Sequence, residues 1–206
     1  MLAFLSSFNL LFALWAWCCS EKTVSAVRIC NVVDYGAVAD NHTDIGPSLL
    51  KAFADCSRAS TGRPSDTIVL VPEGDFSIAS NVHFLKAQGL TFTFNGQLHL
   101  VYNPKLSGNI ISFLSCQNLI VNGHGRFNGN GDLYRPNGNL HLLPHRPRLV
   151  RFQRCANVDY SGFDLHDSPK FHLVVDRGNN FKVHDFHIKS TDIGETDGVD
   201  ISGVDK

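Results

Sequence analysis

The residues best suited to chemistry lie near the C-terminal end, in Glu195-Thr196-Asp197-Gly198-Val199-Asp200-Ile201-Ser202-Gly203. This is a short acidic turn running into a strand. Asp197 and Asp200 are three apart. In an extended chain side chains alternate faces, so this odd spacing points the two carboxylates opposite ways. They are not expected to form an acid–base pair with each other. If one of them works as an acid or base, its partner lies upstream or outside this chain.

The other titratable groups read more plainly. His172 sits inside an apolar strand, where a histidine is a satisfied core or stacking residue. His184 and His187 are an odd number apart and face opposite sides of a strand, so a shared metal site is not expected. His124 lies between glycines in a turn. His141, Arg146 and Arg148 fall in a polar stretch that reads as a solvated loop. No Gly-rich phosphate loop, Cys-x-x-Cys pair or Gly-x-Ser-x-Gly elbow occurs, and neither a metal nor an organic cofactor is expected.

These groups must be positioned by a chain of 206 residues with a formal charge of −1. That suits one domain with a sizeable core. The near-neutral balance gives no electrostatic case for nucleic acid or an anionic membrane. Residues 1–20 form an apolar, uncharged run ended by Glu21 and Lys22, too short for a comfortable membrane span. It reads as a secretory signal, with cleavage after Ser20 or as late as Ala26, so residues 27–206 form the mature domain, secreted and free of the membrane. Four cysteines then remain, with three pairings open; Cys30 with Cys56, closing a short N-terminal loop, is the favoured one. Cys116 and Cys155 lie beside apolar strand residues and read as free and buried. Asn41-His42-Thr43 is a glycosylation sequon in a polar loop.

Asn31-Val32-Val33-Asp34-Tyr35-Gly36-Ala37 reads as a strand ending in a turn. Pro47 opens a helix reaching about Ala59, with Leu49, Leu50, Phe53 and Ala54 at helical spacing. From Thr67 on, the helical period disappears. Short strands such as Ile68-Val69-Leu70-Val71 and Leu90-Thr91-Phe92-Thr93-Phe94 alternate with turns, among them the tight-turn pair Asn95-Gly96. A weak repeat then aligns Ile110-Ile111-Ser112-Phe113 and Cys116-Gln117-Asn118 with Leu149-Val150-Arg151-Phe152 and Cys155-Ala156-Asn157. A third copy runs from Phe171 to Val183 and places Asn180 level with Asn118 and Asn157. The last two asparagines are 23 apart, and the longer first interval fits an inserted loop at 132–147. A period in the low twenties built of strands and turns signals a solenoid. Asn suits the recurring turn because it tolerates a left-handed backbone and can bond along a stack of copies. A leucine-rich repeat would need leucine at fixed offsets, which the copies do not share. The expected fold is an all-β parallel β-helix with a short N-terminal capping helix.

Three stretches, in order and in spacing, resemble the pectin-degrading glycoside hydrolases of family 28. Residues 31–53, with Val33-Asp34-Tyr35-Gly36-Ala37, Asp40 and Thr43-Asp44, are similar to that family's N-terminal cap. Ser168-Pro169-Lys170-Phe171-His172 resembles its Ser-Pro-x-Phe-His segment. Glu195-Thr196-Asp197-Gly198 resembles its Asn-Thr-Asp-Gly motif, with Glu195 where Asn is usual. The Cys30–Cys56 separation and the Ser-Pro-Lys-Phe-His-Leu wording are most similar to the rhamnogalacturonan hydrolase branch. The resemblance implies a right-handed parallel β-helix acting on pectic polysaccharide by an inverting two-carboxylate reaction, with Asp197 on the water-activating side. It makes Glu195 and His172 candidate substrate contacts, and offers His141, Arg146 and Arg148 as groups that could attract uronate carboxylates; Asp200, whose side chain should face away from Asp197, is left to structure.

The family's later motifs, a paired acidic motif, a His-Gly and an Arg-x-Lys, do not occur. The expectation is therefore the N-terminal part of such an enzyme, incomplete at the C-terminal end. It would be inactive alone, monomeric when full length and prone to self-association as a fragment. Two other readings are a non-catalytic polysaccharide-binding β-helix and a lyase-like β-helix using calcium. Carboxylates on opposite faces argue against a calcium cluster.

Overall fold

The computed structural model describes residues 26–138, 145–190 and 196–203; the apolar leader, His141 and Glu195 lie outside the described residues. The chain begins with β1 (Arg28–Asn31), a 3-10 turn over Val32–Tyr35, and α1 (Gly46–Ala59). β2 (Thr67–Val71) and β3 (Asp75–Ile78) complete a first coil. Strands then come in threes. The second coil is β4 (Val82–Leu85), β5 (Gln88–Phe94) and β6 (Gln97–Leu100), and the third is β7 (Asn109–Leu114), β8 (Gln117–Asn122) and β9 (Arg126–Asn128). The fourth is β10 (Arg148–Gln153), β11 (Ala156–Ser161) and β12 (Asp164–His166). The fifth is β13 (Leu173–Asp176), β14 (Asn179–His184) and β15 (Ile188–Lys189), after which β16 (Val199–Ser202) follows.

These strands make three sheets, ordered β1-β2-β5-β8-β11-β14, β3-β6-β9-β12-β15 and β4-β7-β10-β13-β16. The pairings between them are parallel, each strand bonding to its counterpart one coil away. The result is the expected right-handed parallel β-helix, with the handedness that favours a strand–crossover–parallel strand connection. The Asn95-Gly96 turn consequently reverses nothing. The Asn95 N–H donates to Val71 O, 2.9 Å away on the previous coil, and the chain passes from the first sheet to the second.

Inward residues stack in columns. Phe84, Phe113 and Phe152 occupy one register position on β4, β7 and β10, with ring centroids 5.0 and 4.6 Å apart. Rings at this spacing give dispersion and quadrupole contact beyond their buried area. Val175 and Ile201 continue the column. Cys116 and Cys155 are buried and free, as expected, at the corner between the third and first sheets.

At the N-terminal end α1 covers the core. Its buried stripe is Leu49, Ala52 and Cys56, with Ile45 ahead of it, and Phe53 packs edge-on against Phe84 at 5.0 Å. Leu50 and Ala54, expected on that face, are exposed. A disulfide joins Cys30 to Cys56, tying α1 to β1 across 26 residues; a loop of that size is stabilised by about 3 kcal/mol in the chain-entropy account. The strand expected at 31–37 is instead mostly the 3-10 turn, because Asn31 accepts the Val33 N–H through its side chain at 3.1 Å and Gly36 takes a left-handed φ of 97°.

Candidate functional site

Asp197 precedes β16, the last strand of the third sheet, and its side chain is exposed. β16 pairs in register with β13, Leu173 beside Val199 and Val174 beside Asp200. Strand geometry begins only at Val199, so face alternation cannot be carried back to Asp197 from Asp200. Asp200 is half-buried, on the side of the sheet opposite the inward column that Val199 and Ile201 continue.

His172 fixes where Asp197 sits. Its backbone N–H donates to Asp197 O at 3.1 Å, and its Nδ1 lies 3.0 Å from the same oxygen. Its Nε2 accepts the Ser168 N–H at 3.1 Å. A ring nitrogen that accepts carries no proton, so Nδ1 is the protonated one and donates to the carbonyl. The ring is fully buried, and that burial pushes its pKa below the ordinary value and keeps it neutral. Of the two roles open to His172, the structure shows the core one. Both ring nitrogens are taken by backbone groups, and the ring offers no surface for a sugar.

Ser168 and Pro169 are held in turn from the 132–147 insertion. Arg135 is 2 % exposed; its Nη1 donates to Ser168 O at 2.7 Å and its Nη2 pairs with Asp167 Oδ1 at 2.7 Å and Asp132 Oδ1 at 3.2 Å. Arg146, 3 % exposed, donates from Nε to Pro169 O at 2.8 Å. The solvated-loop reading of this stretch is therefore corrected. Arg135 and Arg146 are buried because the turn at Ser168-Pro169 presents carbonyls that no strand partner satisfies, and guanidinium groups supply the donors. Arg148 belongs to β10, not to a loop.

Phe171, on the coil before Asp197, has the Arg148 guanidinium carbon and the Lys170 ammonium each 5.2 Å from its ring centroid. Further along β10, Arg151 Nη2 meets Asp176 Oδ2 at 2.7 Å, and Arg177 and Gln153 also donate to that carboxylate. Those donors, Arg177 and Arg151 first, hold the Asp176 pKa down at about 2. Sequence reasoning passed over Arg135, Lys170 and Asp176. A cation next to an aromatic at a strand start was visible in Lys170-Phe171, but its partner Arg148 is 22 residues upstream and only the coil register brings them together.

Glu195, the other candidate contact, lies outside the described residues. Asn41 is exposed in a left-handed turn with φ 55°, and its side-chain oxygen accepts from Ser77 Oγ at 3.2 Å. His184 bridges Asp159 and Asp185, while His187 lies outside its strand beside Asp164. Among the described residues no group of three His, Cys, Asp or Glu is arranged to hold a metal ion, and no helix is long and apolar enough to cross a membrane.

Comparison with known proteins agrees with this geometry. Residues 62–206 match the family described as glycosyl hydrolases family 28. A probable rhamnogalacturonase E of Aspergillus niger is 29% identical over 187 residues, covering 89% of this chain and 39% of that protein. A probable rhamnogalacturonase C of Aspergillus flavus is 30% identical over 184 residues, covering 88% and 38%. Among solved structures, a hyperthermoactive exopolygalacturonase from Thermotoga maritima superposes with a TM-score of 0.69 at 20% identity, over 85% of this chain and 53% of that one. The chain spans about two fifths of the length of the curated relatives it matches.

Proposed function

This chain belongs to glycosyl hydrolases family 28, and from that premise we propose that it carries the water-activating carboxylate of a secreted, rhamnogalacturonase-like hydrolase acting on pectic polysaccharide. The observation that carries the reading is Asp197. It is exposed at the entry to the last strand of the third sheet, while its backbone carbonyl is gripped by the buried His172. A mobile carboxylate would be a poor base. This one is fixed at its main chain and open at its side chain.

The reaction we infer is inverting. Asp197 would draw the proton from a water on one side of the sugar ring, and a protonated carboxyl on the other would give its proton to the leaving oxygen. The two groups stand about 6.5–9.5 Å apart to admit that water. Stacked coils are about 4.8 Å apart, so a carboxyl on a neighbouring coil reaches that range when it is also offset sideways across the sheet.

The test uses the protein that carries this chain. Asp197→Asn should lower kcat for reducing-end release from rhamnogalacturonan or polygalacturonan by about a thousandfold or more, with KM nearly unchanged. A variant with full kcat would remove Asp197 from the reaction. Binding of pectic polymer by the unaltered protein with no product at all would favour the non-catalytic binder.

A further inference from the structure

The corner between the third and first sheets holds two thiols that the hydrolytic reaction does not use. Ala87, Cys116, Cys155 and Gly178 share one place on successive coils, because the residues just after them, Gln88, Gln117, Ala156 and Asn179, pair in register. The two cysteines are therefore direct neighbours up the stack, and both are buried. Their sulfurs sit alike. Cys116 Sγ is 3.4 Å from Phe84 O and Cys155 Sγ is 3.2 Å from Phe113 O, the same carbonyl of the preceding coil in each case. The Cys116 N–H also donates to Cys155 Sγ at 3.4 Å.

A buried cysteine is ordinarily a small apolar filler. Here one thiol serves the other. The Cys116 thiol donates to the Cys155 sulfur, and this bond brings Cys155 down to about 7 against the burial that opposes it. The same bond, together with burial, pushes Cys116 well above its ordinary value. The Cys155 sulfur can thus give up its proton near neutral pH while Cys116 keeps its own.

What could join sulfurs placed in this way follows from distance. Coil translation separates in-register Cβ atoms by about 4.8 Å. A disulfide wants them about 3.8 Å apart. A soft cation held in line between two sulfurs, with bonds of about 2.3 Å as zinc makes to thiolate, spans about 4.6 Å. That is the coil spacing. Thiolates favour soft ions such as copper(I) over hard ones. The charge also balances. A monovalent cation displaces one proton to solvent and leaves a thiolate and a thiol around it, so the buried unit stays neutral. Two in-line ligands suffice for such an ion. The way in is short, since Ser115 and Arg154, immediately before the two cysteines, are exposed.

We propose that Cys116 and Cys155 form a two-coordinate site for a soft monovalent cation of the copper(I) type, bridging the third and fourth coils. The site depends on the packing of this corner alone, and neither Asp197 nor a polysaccharide enters it.

Silver(I) is the probe, because it has the same charge and the same preference for two in-line sulfurs and does not cycle between oxidation states. The chain carries Cys18→Ser and Cys19→Ser, which removes the leader thiols, and is kept in chloride-free buffer without added thiol. One equivalent of silver should stay bound through gel filtration. It should raise the urea midpoint, as a ligand of the folded state does. It should also protect both Cys116 and Cys155 from iodoacetamide, as mapped by peptide mass spectrometry. Cys116→Ala and Cys155→Ala, made singly, should each weaken silver binding by about a hundredfold or more, since each removes one of two ligands. Alanine already fills this place on the second coil, as Ala87, so the column accepts it. The protection readout is taken with both cysteines present and stands even if a variant unfolds. Loss of silver on gel filtration, equal retention by the single-alanine variants, or protection of only one cysteine would overturn the proposal. So would a mass lower by two hydrogens before silver is added, with neither cysteine open to alkylation, because the pair would then already be a disulfide.

Discussion

Two corners of the coil solve the same problem in different ways. The short corner, from the third sheet to the first, uses the same backbone each time. Lys86, Ser115, Arg154 and Arg177 recur at φ 53° to 55°, followed by Gly89, Asn118, Asn157 and Asn180 at φ 50° to 61°. The three asparagines form a ladder, Asn180 Nδ2 to Asn157 Oδ1 and Asn157 Nδ2 to Asn118 Oδ1, each 2.9 Å. The long corner, from the second sheet to the third, differs from coil to coil among the described residues. Those of its last three passes are 129–138 with 145–147, then 167–172, then 190 with 196–198, and Arg135, Arg146 and His172 hold them. The short corner sets the register of the stack, and the long corner uses that register to place one carboxylate. Register and site are thus divided between opposite edges of the same sheet.

The largest effect that would sharpen this division is expected at Arg135. Arg135→Met should destabilise the chain by about 3 kcal/mol in urea unfolding, because the buried Ser168 carbonyl loses its donor and the replacement cannot refill the guanidinium's contacts. If the loss is no larger than for an exposed arginine such as Arg58, the long corner is not held as described.

His172 comes next. His172→Phe leaves the buried Ser168 N–H without its acceptor and should cost about 2 kcal/mol. The unaltered chain should also carry a pH signature. A histidine whose folded pKa is depressed contributes stability that is present above its ordinary value of 6.5 and lost as pH falls through the lower folded value. Stability should therefore decline on acidification below about 6.5, and His172→Phe should flatten that decline. His166 is shifted the same way and adds a slope that the variant retains, whereas the exposed His184, raised by Asp185 and Asp159, acts in the opposite sense. An unchanged slope in the variant would show that His172 is not the neutral, doubly bonded ring.

The same two corners explain what the sequence disclosed. The short corner answers a local demand, a left-handed residue at a fixed place, and the demand writes itself into the chain as Asn118, Asn157 and Asn180. The strands, the solenoid period, the free buried cysteines and α1 were legible for the same reason. The long corner depends on contacts between coils. Nothing near Arg135 says that Ser168 O awaits it, and nothing near Arg148 says that Phe171 lies above it. Asp197 was legible only because its motif resembles a family's, and the core role of His172 followed from its apolar neighbours, whereas its grip on Asp197 O did not. The helix stripe was misread at Leu50 and Ala54 because periodicity finds an apolar face without saying which edge of it the first coil covers.

A smaller effect tests whether the ladder itself matters. Asn157→Gly keeps the left-handed backbone and removes two side-chain bonds, while Asn157→Ala also strains φ 54°. The glycine variant should lose about 1 kcal/mol and the alanine variant about 1 kcal/mol more. Equal losses would mean that the ladder, not the backbone, decides the residue; no loss with glycine would mean the reverse.

The smallest expected change has the opposite sign. Arg154 sits at φ 53° with an exposed side chain, a conformation that costs a β-carbon-bearing residue about 1 kcal/mol and glycine little. Glycine also loses more chain entropy on folding, about 0.5–1 kcal/mol relative to alanine. Arg154→Gly should therefore fall between neutral and about 0.5 kcal/mol stabilising in urea unfolding. At Ser115, one coil earlier, the same substitution meets the same φ and should give the same sign. Opposite signs at the two positions would show that the short corner is not one backbone repeated, and the contrast with the long corner would lose its basis.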